Sequence, residues 1–213
     1  MRFAEAVTEL FLPAACAACR EAPASGRGLC AACAADLPDG GPVLAVPRVQ
    51  DAPPTVVAAA YEGVLAEILN EYKERGRREL APVLSGLLRE AVGVVGEQVP
   101  GAVLVPIPST PAARRERGFD HVAALCRPLG PVRRCLRARP RPDSVGLGPE
   151  QRRRHAGRSL RVVPSRAAAL AASGRPAVLV DDIVTTGATL AAAAAARRRA
   201  GVAVPAAAAV ASG

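Results

Sequence analysis

Residues 178–190, VLVDDIVTTGATL, constrain the fold and the chemistry of this 213-residue chain more than any other segment. The hydrophobic run at 178–180 predicts a buried strand of a parallel sheet. Two adjacent carboxylates, Asp181 and Asp182, are expected where that strand ends, and a short loop of small residues then enters an alanine-rich helix. Ligands of open α/β sheets bind beyond the carboxyl ends of the strands, so this loop is a candidate ligand site.

The loop consists of Thr185, Thr186, Gly187, Ala188 and Thr189. A loop that enters a helix presents free N–H groups and the positive end of the helix dipole to an anion. Glycine lets the backbone approach closely, and the Thr hydroxyls add donors. Such a loop suits a monophosphate, and the adjacent carboxylates suit vicinal ribose hydroxyls or a hydrated Mg²⁺. The alternative is a strand–turn–helix unit with an incidental acidic pair and Thr caps. Neither GxxxxGK[ST] nor GxGxxG is present.

Four cysteines form the pattern C-x₂-C-x₁₀-C-x₂-C, namely Cys16, Cys19, Cys30 and Cys33. Two such pairs at short separation can supply four thiolates tetrahedrally to one Zn²⁺. In a reducing compartment zinc is favoured over disulfides, and a redox CxxC normally stands alone. Because sulfur fills all four positions, the pattern predicts a structural zinc ion rather than a catalytic one. Cys126 and Cys135 lack this spacing and are predicted to be buried or incidental thiols.

Residues 36–54 are rich in Pro and Gly, which predicts an extended connector. We therefore divide the chain into a zinc-knuckle module with its connector, residues 1–48, and a main domain, residues 49–213. Apolar positions at helical spacing predict two helices in the main domain. The first carries Leu65, Ile68, Leu69 and Tyr72, and the second carries Leu80, Leu84, Leu87, Leu88 and Ala91. A short strand at 103–105 and a further helix through Leu125 follow.

The segment VLVDDIVTTGATL resembles the 5-phosphoribosyl-1-pyrophosphate (PRPP) fingerprint of type I phosphoribosyltransferases. Three further segments narrow the resemblance to the ComF family: the four-Cys knuckle, YEGVLAEILNEYKERGRREL and VPIPSTPAARRERGFDH. The resemblance covers nearly the whole chain. It implies a type I phosphoribosyltransferase-like parallel sheet flanked by helices and preceded by a small zinc-knuckle module. It also implies PRPP binding with Mg²⁺, and a link to DNA uptake and utilisation or to nucleotide salvage.

Carried over by position, the resemblance assigns the ribose hydroxyls to Asp181 and Asp182. It assigns the 5-phosphate to Thr185, Thr186, Gly187, Ala188 and Thr189, and the pyrophosphate to the loop at Pro108, Ser109 and Thr110. Departure of pyrophosphate requires neutralisation of its charge. Lys73, Arg114 and Arg117 are therefore the candidate catalytic cations, and the alternative is a solvated basic surface.

The chain departs from the family pattern in two places. Asp120 stands after RGF, where the family usually has Asn, and Ser144 and His155 stand where Gln and Asn are frequent. Both positions concern the pocket for the acceptor. We expect His121 and His155 to be structural or incidental, because transfer from PRPP needs little acid–base help at the ribose.

The net charge of +9 suits an anionic partner, although nearly all basic residues are Arg and Lys73 is the only lysine. Two functions remain open: transfer of phosphoribosyl to an unidentified base or amine, or a PRPP- or nucleotide-sensing module that binds DNA or protein partners in competence. A DNA-binding face would use Arg133, Arg134, Arg137, Arg139, Arg141 and Arg152, Arg153, Arg154. We attribute Arg197, Arg198 and Arg199 to the end of the alanine-rich helix, whose dipole they complement.

The N-terminal stretch does not have the composition of a secretory signal, because Glu5 and Glu9 interrupt it and Pro13 shortens its apolar run. No segment offers about 18 consecutive strongly apolar residues for a membrane span. We therefore expect a cytoplasmic protein without a membrane partner.

Overall fold

The computed structural model of the protein describes residues 15–24, 27–138 and 160–213. The strands in these ranges are β1 (Val43–Ala45), β2 (Thr55–Ala60), β3 (Val103–Pro106), β4 (Leu136–Ala138), β5 (Leu160–Val162), β6 (Ala177–Val184) and β7 (Ala206–Ser212). The helices are α1 (Ala31–Ala35), α2 (Gly63–Glu74), α3 (Ala81–Gln98), α4 (Pro111–Arg117), α5 (His121–Cys126), α6 (Pro164–Ala172) and α7 (Ala188–Arg198), with a 3₁₀ turn at Arg78–Leu80.

Five strands form the main sheet in the order β1-β2-β7-β6-β3. The three pairings β2·β7, β7·β6 and β6·β3 are parallel, and the edge strand β1 is antiparallel to β2. Strands β4 and β5 form a separate antiparallel pair. The predicted α/β class with a parallel sheet and flanking helices is therefore confirmed, with β1 as the antiparallel exception.

Helices cover both faces of the sheet. One buried cluster joins α2, α3 and α5 to alternate sheet residues such as Val178 and Val180. A second cluster joins α6 and α7 to the intervening residues such as Leu179. Alternation between two buried faces explains why the strand sequences are continuously apolar. The two predicted helices in residues 63–98 are present, and their predicted apolar positions are buried or lie in the adjoining 3₁₀ turn.

Strand β6 is longer than the sequence indicates. It was expected to end at Val180, but it continues through Asp181 and Asp182 to Val184 because β7 keeps pairing with it as far as Ser212. Strand β3 stops at Pro106, opposite Val180. The acidic pair therefore lies within a strand, in the part of β6 that extends beyond the end of its neighbour β3.

The structure differs from the sequence-based predictions at two other places, residues 36–54 and Arg197. Residues 36–54 are not only a connector, because β1 lies within them and joins the sheet. Arg197 is fully buried, and its guanidinium has no hydrogen-bond partner in the described ranges, whereas Arg198 and Arg199 are exposed at the end of α7 as expected. Burial arises because residue 197 lies on the inward side of the helix with Ala193 and Ala194.

Several predicted features lie outside the described residues. They are the N-terminal stretch with Glu5, Glu9 and Pro13, the departures Ser144 and His155, and the arginines Arg139, Arg141, Arg152, Arg153 and Arg154. Within the described ranges, none of the helices combines the length and the apolar character that crossing a membrane requires.

Candidate functional site

An open cleft of ≈ 330 Å³ lies where β6 extends beyond β3. Helices α2, α4 and α5, the loop after β3 and the start of α7 contribute to its walls. Eight of the predicted site residues line it: Lys73, Pro108, Ser109, Thr110, Arg117, Asp181, Asp182 and Thr189. The structure thus brings together cations, hydroxyls and carboxylates that are up to 116 positions apart in the chain, from Lys73 to Thr189.

Asp182 is buried and is held by the side chains of His121 and Lys73. Its Oδ2 lies 2.9 Å from Nε2 of His121 and 3.4 Å from Nζ of Lys73. Its Oδ1 accepts the backbone N–H of Ile183 at 2.9 Å. Burial alone would raise the pKa of this carboxyl, but the hydrogen bond and charge of His121 and the charge of Lys73 hold the pKa below its usual value. Asp182 is therefore ionised and its lone pairs are largely engaged.

Asp181 has the opposite environment. It remains partly exposed, lines the cleft, and accepts the backbone N–H of Asp182 through Oδ1 at 3.0 Å. Burial of the carboxyl and the neighbouring charge of Asp182 raise its pKa well above the usual value. The two adjacent acids thus differ: Asp181 has acceptor capacity left for a ligand, and Asp182 holds the side chains of His121 and Lys73 in place.

His121 was expected to be structural or incidental, but it lines the cleft and contacts the acidic pair. Its side chain is buried, and Oγ of Ser109 lies 2.7 Å from Nδ1 while Asp182 faces Nε2. A carboxylate at Nε2 favours the tautomer with its proton on Nε2, which leaves Nδ1 to accept the Ser109 hydroxyl. The Tyr72 hydroxyl donates to the His121 carbonyl at 3.0 Å. The signal in the sequence was its position directly after RGFD, within the segment that carries the family resemblance.

The two predicted catalytic arginines line different clefts. Nη1 of Arg117 lies 3.3 Å from Nδ1 of His121, and its Nη2 lies 3.9 Å from Oε1 of Glu74. Arg114 is exposed and lines a neighbouring groove instead. Arg117 is therefore the arginine that the structure brings to the acidic pair.

The loop at 185–189 lines a small adjoining pocket of ≈ 40 Å³, together with Asp181. Thr186 Oγ1 accepts the N–H of Ala188 at 3.3 Å, and the Thr186 carbonyl accepts the N–H groups of Arg48 and Val49 at 3.1 and 3.2 Å. Gly187 has φ +79°, and a Cβ there would lie 2.6 Å from Cβ of Pro47. Glycine is thus required both by the left-handed backbone and by the close approach of residues 47–52.

The segments that carry the family resemblance pack against one another. The ring of Phe119 contacts Tyr72 edge to face, with 5.3 Å between the ring centroids, and the guanidinium of Arg78 lies 4.7 Å above it. Gly118 ends α4 with φ +74°, and Asp120 caps α5 by accepting the N–H of Ala123 at 3.4 Å. Asp and Asn are equivalent helix caps, so Asp120 preserves this local structure despite departing from the family pattern.

The four N-terminal cysteines converge on one point. Their sulfur atoms all lie within 4.8 Å of one another, and Sγ of Cys19 and Cys30 are 4.0 Å apart. A tetrahedral site with Zn–S bonds of ~2.3 Å places its sulfurs ~3.8 Å apart, so the arrangement fits zinc. Burial would raise the pKa of Cys16, but backbone N–H groups, chiefly that of Cys30, outweigh it and lower the pKa to about 6. Such a thiolate is a suitable metal ligand.

The zinc site is packed onto the main domain. Cys16, Leu29 and Leu80 belong to one buried cluster, and Arg20 forms ion pairs of 3.2 Å with both Glu67 and Glu71 on α2. Cys126 and Cys135 are buried free thiols, as predicted, and burial raises the pKa of Cys126 to about 12.

Residues 7–43 match the family model of a double zinc ribbon domain. The matched segment contains the four cysteines, which supports the predicted structural Zn²⁺ at the N-terminus. A comparison with curated proteins finds no match.

Proposed function

We propose that this chain is a type I phosphoribosyltransferase-like protein of the ComF type. It binds PRPP together with Mg²⁺ and transfers the 5-phosphoribosyl group to a base or amine. The observation that carries the proposal is the cleft at the end of β3, where five separate parts of the chain contribute carboxylates, hydroxyls and cations at one edge of a parallel sheet. This edge is where α/β sheets bind their ligands.

The residues of the cleft form three groups, and each group would bind one part of PRPP. The loop at 185–189 would receive the 5-phosphate, because its pocket is lined by the start of α7, the positive end of the helix dipole. Asp181 would accept the ribose hydroxyls, since its oxygens are the less engaged of the acidic pair. Ser109 and Thr110 would donate to the pyrophosphate beside Arg117.

In the transfer, a lone pair of the acceptor nitrogen forms the new bond to ribose C1. The C1–O bond to pyrophosphate breaks, its electron pair stays on the pyrophosphate oxygen, and the acceptor N–H proton passes to solvent. Arg117 stabilises the charge that develops on the leaving group. The His121–Asp182 and Lys73–Asp182 contacts keep these side chains in place before the ligand binds.

Magnesium fits this set of donors, because it prefers oxygen ligands and commonly combines one or two carboxylates with substrate phosphates. Asp181 is the carboxylate that lines the cleft with acceptor capacity left. Bound with PRPP, Mg²⁺ would neutralise part of the pyrophosphate charge.

A second candidate is a module that senses PRPP or a nucleotide and binds a protein or DNA partner in competence. The exposed apolar side chains at and after the edge strand β1 favour a protein partner: Val43, Leu44 and Val46 are 53%, 66% and 85% exposed. A sheet edge of this kind can pair with another chain.

Calorimetric titration of Mg²⁺–PRPP into the zinc-loaded protein tests the proposal. We expect saturable binding that is weakened ~10-fold or more by Asp181→Asn, which removes a charged acceptor. The matched control is Glu97→Gln, an exposed carboxylate on α3 that should leave the affinity unchanged. Binding with the expected variant effects justifies an acceptor screen by pyrophosphate release. Absence of PRPP binding by the folded wild type overturns the proposal.

A further inference from the structure

A second concave surface, the arginine groove, adjoins the cleft. It encloses ≈ 620 Å³ and shares Pro108, Ser109 and Ala138 with the walls of the cleft. Of the described residues, five arginines line it: Arg114, Arg115, Arg134, Arg137 and Arg166. These come from α4, β4, α6 and the segment before β4, so the fold and not one basic run gathers them.

The charge of the arginine groove is not neutralised by the described residues. None of the five guanidinium groups forms an ion pair within those ranges. Arg166 donates to the carbonyl of Arg134 at 3.0 Å, which fixes one guanidinium without cancelling its charge. Among the described residues of the lining, Asp120 is the single carboxylate, and it already accepts the helix-capping N–H of Ala123. Like charges gathered around a concavity raise the local concentration of anions.

Apart from Ser109, the rest of the described lining is apolar. It consists of Leu136, which is buried, with Ala138 and the prolines Pro106, Pro108 and Pro111. Apolar side chains and guanidinium groups in one groove suit an apolar ring that carries oxyanions, because Arg binds carboxylate and phosphate oxygens in pairs. Aromatic side chains, on which successive nucleic-acid bases would stack, are absent from the described lining, so a single strand is the poorer fit.

We infer that the arginine groove binds the acceptor, and that the acceptor is a small nitrogen-containing ring compound with two or more negative charges, as carboxylates or phosphate. The inference rests on the proposed function, which supplies PRPP in the adjoining cleft. The shared wall at Pro108 and Ser109 brings an acceptor in the groove next to the loop proposed for the pyrophosphate. The negative charge is what selects this acceptor over neutral bases.

The probes for the test are benzene-1,3,5-tricarboxylate and its neutral triamide, titrated into zinc-loaded protein whose phosphate loop is saturated with ribose 5-phosphate. We expect the tricarboxylate to bind and the amide not to bind. Arg134→Gln with Arg137→Gln should weaken the tricarboxylate ~10-fold or more and leave Mg²⁺–PRPP affinity unchanged, because each lost contact is charge-assisted. Both arginines are exposed, so the fold should tolerate the change. The control is Arg89→Gln with Arg127→Gln, two exposed arginines outside the groove.

The same variants then enter a pyrophosphate-release assay with carboxylated and uncarboxylated nitrogen heterocycles. Turnover restricted to the carboxylated compounds and reduced by the groove variant supports the inference. Equal binding of tricarboxylate and amide, or displacement of the tricarboxylate by PRPP, overturns it. Tight binding of oligodeoxythymidylate that the groove variant abolishes, without tricarboxylate binding, overturns it in favour of a nucleic-acid site. If the protein binds the tricarboxylate but does not bind PRPP, the anion site exists and the proposed function is wrong. The assignment of the groove to an acceptor is then wrong as well.

Discussion

His121 and Asp182 are joined by a 2.9 Å contact between Nε2 and Oδ2, in the interior of the protein and across 61 positions of the chain. Because of this contact, Asp181 and Asp182 have different environments although they are adjacent and of the same residue type. Asp182 becomes a buried anion between His121 and Lys73, and Asp181 keeps its acceptor capacity for the cleft.

Neutralising the two acids should have opposite effects on stability at neutral pH. Asp182→Asn leaves His121 and Lys73 without their anion and should lower the free energy of unfolding by about 1–3 kcal/mol. Burial and the charge of Asp182 disfavour the ionised form of Asp181. Asp181→Asn removes this charge and should therefore raise the free energy of unfolding. Urea unfolding of both variants and of wild type measures this.

The effects of Asp182→Asn and Asp181→Asn on the free energy of unfolding should depend on pH. The pKa of Asp182 is lowered on folding, so its stabilisation is present above the ordinary value of 3.8 and is lost as the pH falls below it. The deficit of Asp182→Asn should therefore shrink in acid. The pKa of Asp181 is raised, so the gain of Asp181→Asn should appear as the pH rises above 3.8 and vanish below it. Parallel pH profiles for the two variants would contradict this account.

Gly187→Ala should destabilise the protein and weaken the proposed binding of Mg²⁺–PRPP at residues 185–189. The left-handed backbone costs a non-glycine residue about 1–2 kcal/mol, and the new Cβ would lie 2.6 Å from Pro47. The matched control is Gly93→Ala, in the interior of α3 with open space around it, where the change should stabilise by about 0.5–1 kcal/mol. Equal thermal shifts for the two variants would show that Pro47 moves away without cost.

Removal of zinc should expose the apolar contact between the ribbon and the main domain. A chelator is expected to lower the melting temperature and to increase binding of a hydrophobic dye, because Leu29 and Leu80 are buried in the same cluster as the cysteines. Cys19→Ser should lose the metal, measured as zinc per chain, whereas Cys126→Ala should retain it. Unchanged melting after complete removal of zinc would contradict a structural role.

Apolar packing, not ion pairing, should dominate the docking of the ribbon. Leu80→Ala is expected to cost about 2–5 kcal/mol, because the side chain is fully buried. Arg20→Ala should cost only about 0.2–1 kcal/mol. The Arg20 side chain is more than half exposed, so solvent screens its ion pairs with Glu67 and Glu71. Chemical denaturation of the two variants compares these effects, and a larger loss for Arg20→Ala would reverse the ranking.

The helix cap of α5 should tolerate asparagine in place of Asp120. Asp120→Asn is expected to leave stability within a few tenths of a kcal/mol, and Asp120→Ala should cost about 1 kcal/mol, because only the first keeps the acceptor for the Ala123 N–H. Thermal melting of both variants checks this. A large loss for Asp120→Asn would show that the charge, rather than the cap, is required.

Local patterns in the sequence determined a large part of the fold. The spacing of Leu65, Ile68, Leu69 and Tyr72 predicted an amphipathic helix, and these side chains are buried on α2. The cysteine spacing predicted the metal site that the ribbon match supports. Both follow from short-range geometry, in which a few residues on one element specify which side is buried or where the ligands lie.

Tertiary structure decided the features that depend on distant segments. Five of the seven residues 206–212 are alanine, which favours helix, yet they form the central strand β7 because β2 and β6 pair with its two edges. The same pairing extends β6 through the acidic pair. The different environments of Asp181 and Asp182, the place of His121 in the cleft, and the convergence of the groove arginines likewise arise from packing between segments that the linear sequence keeps apart.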